Sequence, residues 1–313
     1  MSKRTLSLTL LLSLGFLWGT GYAIARYVMT HGIPAASYSF WESLGPAFLL
    51  FLLALYLRKP ATTSAYSLSH LRYYLIAGLT GIAIPNTCMY FAAAHLPAGL
   101  LAVIVNTVPV IAWPLAVIAG LERIHLPRLL GLTLAITGLA FIVLPKSELP
   151  AGDSWGWMLL ALITPFSFAL CTVHITKFRP QGTGPVPIAA GMMIAASMLL
   201  LPMVLLSGDF YVPSWPLSVP DALIILETVL SSLGYILFFE LLRVAGPVYY
   251  SLVDTTVSLT GLASGYFLFH EKIGFSAGCG IVLILLGVLF VTLTQQLPGA
   301  GIEPARGLPP EGF

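Results

Sequence analysis

Charge is what this chain has least of. Only 8% of its residues are Asp, Glu, Lys or Arg, against 58% that are hydrophobic, where a soluble domain carries about 25% charged residues. Mean hydropathy is +0.94. A water-soluble protein of this length could not bury so much apolar surface. The net charge of +2 says nothing about nucleic acid, and no basic patch with interleaved aromatics points to a nucleic-acid interface, so none is expected. The three cysteines, Cys88, Cys171 and Cys279, fall in apolar segments with no CxxC or Cys/His spacing. That predicts packing residues rather than a disulfide framework or a metal site. No HExxH sequence and no Walker P-loop occurs, so neither zinc hydrolysis nor direct ATP drive is encoded. Gly274-Phe275-Ser276-Ala277-Gly278 fits the nucleophile-elbow spacing, but no Asp or His follows it and it opens an apolar run instead of a strand–turn–helix. No catalytic residue, cofactor or metal is expected.

What the chain does have is long apolar runs. From 73 to 121 there is no charged residue at all. A bilayer-crossing helix needs about 20 apolar residues, and ten such spans are predicted: 6–29, 36–57, 73–94, 98–119, 126–144, 155–176, 186–206, 221–242, 248–269 and 273–293. The apolar start runs on past signal-peptide length. The tail, 295–313, is rich in Pro and Gly and is expected to be a disordered cytoplasmic segment. With the N-terminus in the cytoplasm, the ten-span reading leaves 11 of the 14 Lys and Arg inside and only Arg26, Lys146 and Lys272 outside. This is the positive-inside pattern, with both termini cytoplasmic.

The chain is also written twice. Tyr90 and Asn106 recur as Phe238 and Asp254 at an offset of 148. Glu122, Gly131 and Gly138 recur as Glu271, Gly280 and Gly287 at 149. Residues 1–146 and 147–294 therefore read as two five-helix repeats. An odd number of spans per repeat inverts the second relative to the first. Inverted repeats of this kind build secondary transporters, whose substrate site lies between the repeats near the bilayer midplane. The fold class is all-α integral membrane, ten helices as two inverted repeats. The glycine pairs Gly15/Gly19, Gly261/Gly265 and Gly274/Gly278 allow close helix approach within the bundle, with a homodimer face as the alternative.

Three stretches carry a resemblance to a known family. They are Leu17-Trp18-Gly19 with Tyr22-Ala23-Ile24-Ala25-Arg26, the run 90–144 with Leu96-Pro97-Ala98-Gly99, Pro109 and Glu122, and its echo 238–293 with Ala245-Gly246-Pro247 and Glu271. The chain resembles the EamA-type transporters of the drug/metabolite transporter superfamily. The resemblance implies ten helices around a central cavity in a bacterial cytoplasmic membrane. It implies export of amino acids or related metabolites, with drug-like amphipaths as the alternative substrate class. Members often carry a basic residue near the start of the second span. Here that stretch reads Tyr38-Ser39-Phe40-Trp41-Glu42.

Ionisable groups inside a span cost roughly 2.5–3.5 kcal/mol each on insertion scales and so face a cavity or a partner. Arg26, Glu42 and Glu227 all fall in the outer half and are expected to cluster, as an outer gate or a proton-exchanging site. Asp254 and its repeat partner Asn106 are expected to line one cavity and to ligate a substrate amine. Glu240 precedes Arg243 by three residues, a spacing that suits a local ion pair. His174 lies near a helix end, as an interfacial side chain or a proton relay. Of the aromatics, Trp18, Tyr22, Tyr90, Trp113 and Tyr235 are the candidates for a cavity wall, whereas Tyr38, Tyr249 and Tyr250 suit the interfacial belt. Pro85-Asn86 and Asn106 with Pro109 put polar side chains beside helix breaks, which are candidate hinges. The expected partners are a small-molecule substrate, protons as coupling ion, and the lipid bilayer.

Overall fold

A computed structural model describes residues 3–56, 68–120, 124, 126–143, 154–180, 185–250, 253–272 and 274–294. Glu122 and the tail 295–313 lie outside the described residues, as do the side chains of Arg243, Tyr249 and Tyr250.

The described residues fold as helices. The first repeat holds α1 (Lys3–Thr30), α2 (Ala35–Tyr56), α3 (Leu68–Gly78), α4 (Ile84–Ala93), α5 (Ala98–Val105), α6 (Val108–Ile118) and α7 (Leu126–Val143). The second holds α8 (Ser154–Phe178), α9 (Pro185–Ser207), α10 (Val219–Tyr250), α11 (Val253–Phe269) and α12 (Phe275–Thr294). Seven stretches are long and apolar enough to cross a bilayer, among them Leu68–Ala93 (α3 and α4) and Ala98–Ile118 (α5 and α6). Leu126–Phe141 and Phe275–Val291 are shorter apolar helices, and α11 has 17 residues. Among the described residues, seven of the ten expected spans reach full length, and the shorter helices α7, α11 and α12 stand at the positions of the other three. One boundary differs: α10 continues through Gly246-Pro247 to Tyr250, so the ninth segment starts at Val253, not at residue 248. Apolar side chains such as Phe16, Phe48 and Leu206 stand exposed on the outside, as a lipid-solvated surface requires.

Two of the spans are broken where the sequence placed polar residues beside proline. A π-helical turn, Leu79–Ala83, separates α3 from α4, and Pro85 follows it at once. Asn106 and Thr107 leave helical geometry between α5 and α6, two residues before Pro109. Proline cannot donate to the preceding turn, and π-turns recur at functional positions.

The packing repeats with the sequence. α7 packs along α12, α2 along α9, and α5 along α11. α1 packs on α10 and α11, and its counterpart α8 packs on α4 and on α5 and α6. Exchanging the halves therefore reproduces the helix pairs. The glycines show how closely. A Cβ on Gly131 would stand 2.8 Å from the Gly287 carbonyl oxygen, and one on Gly287 2.6 Å from the Gly131 carbonyl oxygen. A Cβ on Gly138 would likewise meet the backbone at Gly280 and Ile284. These are the glycines that the offset of 149 relates, crossed over in an antiparallel contact. Gly15 and Gly19 pack on Thr256 and Thr260 of α11, and Gly261 on Ala102. Of the three glycine pairs, Gly15/Gly19 and Gly261/Gly265 thus serve packing inside the bundle.

Candidate functional site: a cavity between the halves

A cavity of about 590 Å³ lies among α1 to α6 and α8 to α11. Of the sequence candidates, Trp18, Tyr22, Glu42, Asn86, Tyr90, Asn106, Glu227, Tyr235 and Asp254 face it. Trp113 does not: it is 5% exposed and sits in the helical core, with its indole N–H buried and unpartnered. Its depth was readable from sequence, but the face of α6 it occupies was not.

Three helices meet at Glu42. Its Oε2 accepts from Asn86 Nδ2 at 2.8 Å and from Tyr90 Oη at 2.6 Å, both on α4. Its Oε1 accepts from Ser231 Oγ of α10 at 3.0 Å. Ser231 also stands 3.5 Å from Glu227 Oε1, one turn back on the same helix. The two carboxyl groups thus meet through one hydroxyl. Glu227 is 6% exposed, and its Oε2 is buried with no hydrogen-bond partner. Its other oxygen lies against Gly21 of α1, where a Cβ would come within 2.7 Å. Ser231 and Gly21 did not figure in the sequence reading. The i+4 spacing of Ser231 from Glu227 was the available signal.

Tyr38 belongs to this cluster and not to the interfacial belt. It is 1% exposed and packs edge-to-face on Tyr90, centroids 4.6 Å apart. The α9–α10 connection holds α2 in place here. Trp41 Nε1 donates to the Tyr211 carbonyl at 2.8 Å, and Tyr211 N donates to Ser37 Oγ at 2.9 Å. Ser218 and Asp221 form a capping box at the start of α10, with Ser218 N donating to Asp221 Oδ2 at 3.0 Å and Asp221 N to Ser218 Oγ at 3.3 Å. Tyr211 Oη donates to Asp221 at 2.5 Å, and holding that proton pushes the phenol's pKa above its usual value.

The second polar group is Asn106, at the break between α5 and α6. Its Nδ2 donates to the Ala102 carbonyl at 2.6 Å and lies 3.4 Å from Tyr22 Oη. Asp254, in the first turn of α11, lines the same cavity. Between the two groups Trp18 packs on Tyr235 and Phe238, centroids 5.9 and 6.1 Å away.

Arg26 does not join Glu42 and Glu227. Its Nε lies 3.2 Å from Glu271 Oε1, and its guanidinium donates to the Leu96 carbonyl and stacks 5.6 Å from the Phe269 ring. Glu271 in turn accepts from the N–H groups of Ala98 at 2.8 Å and Gly99 at 3.2 Å, at the start of α5. A carboxylate there satisfies orphan amides and complements the helix dipole. Of the expected outer cluster Glu42 and Glu227 meet, but α1 turns Arg26 away toward α5 and α11. Sequence alone showed Glu271 only as an echo of Glu122. Losing the Glu271 carboxyl unpairs the partly buried Arg26 and two backbone amides of α5, at a cost of about 1–3 kcal/mol. Glu271→Ala is therefore expected to lower the thermal melting point sharply, and Glu271→Gln less, because the amide oxygen still accepts from α5. Equal melting points for wild type and both variants would refute this role. His174 stacks on Tyr73 at 5.2 Å with Nε2 buried and unpartnered.

Residues 5–144 and 155–293 each match the EamA-like transporter family. The chain belongs to that family. It is thus an EamA-type member of the drug/metabolite transporter superfamily, a multi-pass membrane transporter built of two repeats, and the family's members are transporters, not enzymes. A solved crystal structure superposes at a TM-score of 0.58 and 13% identity, covering 94% of this chain and 99% of the other. At that identity the likeness is one of fold. No protein with a curated description matches the chain.

Proposed function

We propose that this EamA-family chain is a secondary carrier that moves small amine-bearing metabolites, amino acids and related compounds among them, outward across the bacterial cytoplasmic membrane. Its two halves are inverted, both termini are cytoplasmic, and the halves rock about the cavity by alternating access. The observation that carries this reading is the cavity itself: Glu42, Glu227 and Asp254 face one space between the repeats. Carboxyl groups at membrane depth are retained where they serve a pathway or a ligand. The crossed glycine contacts of α7 and α12 support inversion, since an in-plane twofold axis makes its own helix pair antiparallel. The breaks at the π-turn and at Asn106 supply bending points beside the cavity. A proton leaving the Glu42–Glu227 pair as an ammonium arrives keeps the charge of the cavity constant, which gives a route to proton antiport.

Uptake into inside-out proteoliposomes of verified orientation tests this, with labelled amines and amino acids and an imposed pH gradient. Saturable uptake that accelerates with the gradient is expected. Uptake no greater than in protein-free vesicles for every such compound contradicts the reading.

A further inference from the structure

The cavity has two acidic poles at different depths, and their spacing can be read from helix register. Gly15 of α1 packs on Thr256 of α11 and Gly19 on Thr260, an offset of 241 in both pairs, so the two helices run parallel and in step. By that register Asp254 stands level with Ser13. Glu227 lies against Gly21, eight residues further along α1. At 1.5 Å per residue the poles are about 12 Å apart along the axis. Trp18 falls between these levels, and with Tyr22 and Tyr235 it gives the stretch between the poles an aromatic wall.

The upper pole is unfinished. Glu42 has three donors, whereas Glu227 Oε2 is buried and receives none. A buried carboxyl group short of donors is costly, and Glu227 lines the cavity, so an ammonium held there would offset its charge. Nothing comparable awaits an anion. Among the described residues that line the cavity, Arg179 is the one basic side chain, and it lies just beyond the end of α8. A carboxylate placed between the poles would face three acids.

We infer that the preferred cargo is a short linear organic dication with a basic nitrogen at each end and no carboxylate, a diamine. This rests on the reading of the cavity as the transport site. One ammonium offsets the charge of Glu227 and the other pairs with Asp254. The methylene chain lies against Trp18 and Tyr235, where cation–π and apolar contact both operate. About 12 Å, less two charge-assisted contacts of about 2.8 Å, leaves roughly 6 Å between nitrogens, the reach of a four- or five-carbon diamine.

Titration of the purified protein with 1,5-diaminopentane, pentylamine and lysine, followed by tryptophan fluorescence, tests the inference on the wild type alone. A second charge-assisted contact worth about 1.5–3 kcal/mol predicts that the diamine binds roughly ten- to a hundredfold more tightly than pentylamine. Lysine, which adds a carboxylate, is expected to bind more weakly than the diamine. Asp254→Asn is expected to erase the ratio of diamine to monoamine affinity, an internal ratio that does not depend on the yield of folded protein. A ratio near one in the wild type, or lysine binding as tightly as the diamine, overturns the inference. If amino acids are carried saturably and diamines are not, the cargo assignment falls and the carrier reading stands. If neither is carried, both fall.

Discussion

Glu227→Gln is expected to lower amine affinity and flux by roughly tenfold or more, the equivalent of one lost charge-assisted contact, while leaving the fold intact. Its Oε2 makes no hydrogen bond to the protein, so the substitution removes a charge without breaking a network. Glu42→Gln is different. The Glu42 carboxylate accepts from Asn86, Tyr90 and Ser231 and so ties α2 to α4 and α10. An amide has one acceptor oxygen where the carboxylate has two, so at least one buried donor loses its partner, at a cost of about 1–3 kcal/mol. Glu42→Gln should therefore lose transport and melt lower, whereas Glu227→Gln should lose transport alone. Parallel melting curves and initial uptake rates separate the two. Wild-type uptake in Glu227→Gln would remove this carboxyl group from the mechanism.

Gly131→Ala, Gly138→Ala and Gly287→Ala are each expected to destabilise the protein by about 1–3 kcal/mol. The added methyl meets backbone in all three, and backbone cannot rotate away as a side chain can. On Gly287 it would approach the Gly131 carbonyl oxygen at 2.6 Å and Ala135 N at 2.8 Å. Gly156→Ala is the control. Nothing lies within 4 Å of its Cβ position, and removing an exposed helical glycine should give about 0.5–1 kcal/mol of added stability. Thermal unfolding of the four variants in one detergent checks both signs. Seam variants as stable as Gly156→Ala would mean that α7 and α12 are not held this closely.

Much of this was legible because it depends on position along the chain. The apolar runs placed the helices, and the offset of 148–149 paired Gly131 with Gly280 and Gly138 with Gly287 before any contact was known. The break at Asn106 followed from Pro109 beside a polar side chain at membrane depth. Facing was harder. Arg26 has the depth of Glu42 and Glu227, but the rotation of α1 turns it to Glu271, and depth carries no record of rotation. Trp113 and Tyr38 failed for the same reason. In a uniformly apolar helix there is little polar–apolar contrast to mark the inward side. Gly246-Pro247 looked like a span boundary, yet α10 runs through it, as transmembrane helices tolerate proline when neighbours satisfy the freed carbonyl. The Glu271 cap on α5 needed the fold, because Ala98 and Glu271 are 173 residues apart.

The central claim is that solute passes through the cavity between the halves. The most direct test is to fill it. Ala112 lines the cavity on α6, while Ile118, on the same helix, is 82% exposed on the outside. Initial rates of amine uptake into proteoliposomes should fall to the protein-free level for Ala112→Trp and stay at the wild-type level for Ile118→Trp, with both variants folded by gel filtration and melting. Full transport by Ala112→Trp would contradict the account, since the solute would then have to cross by another route.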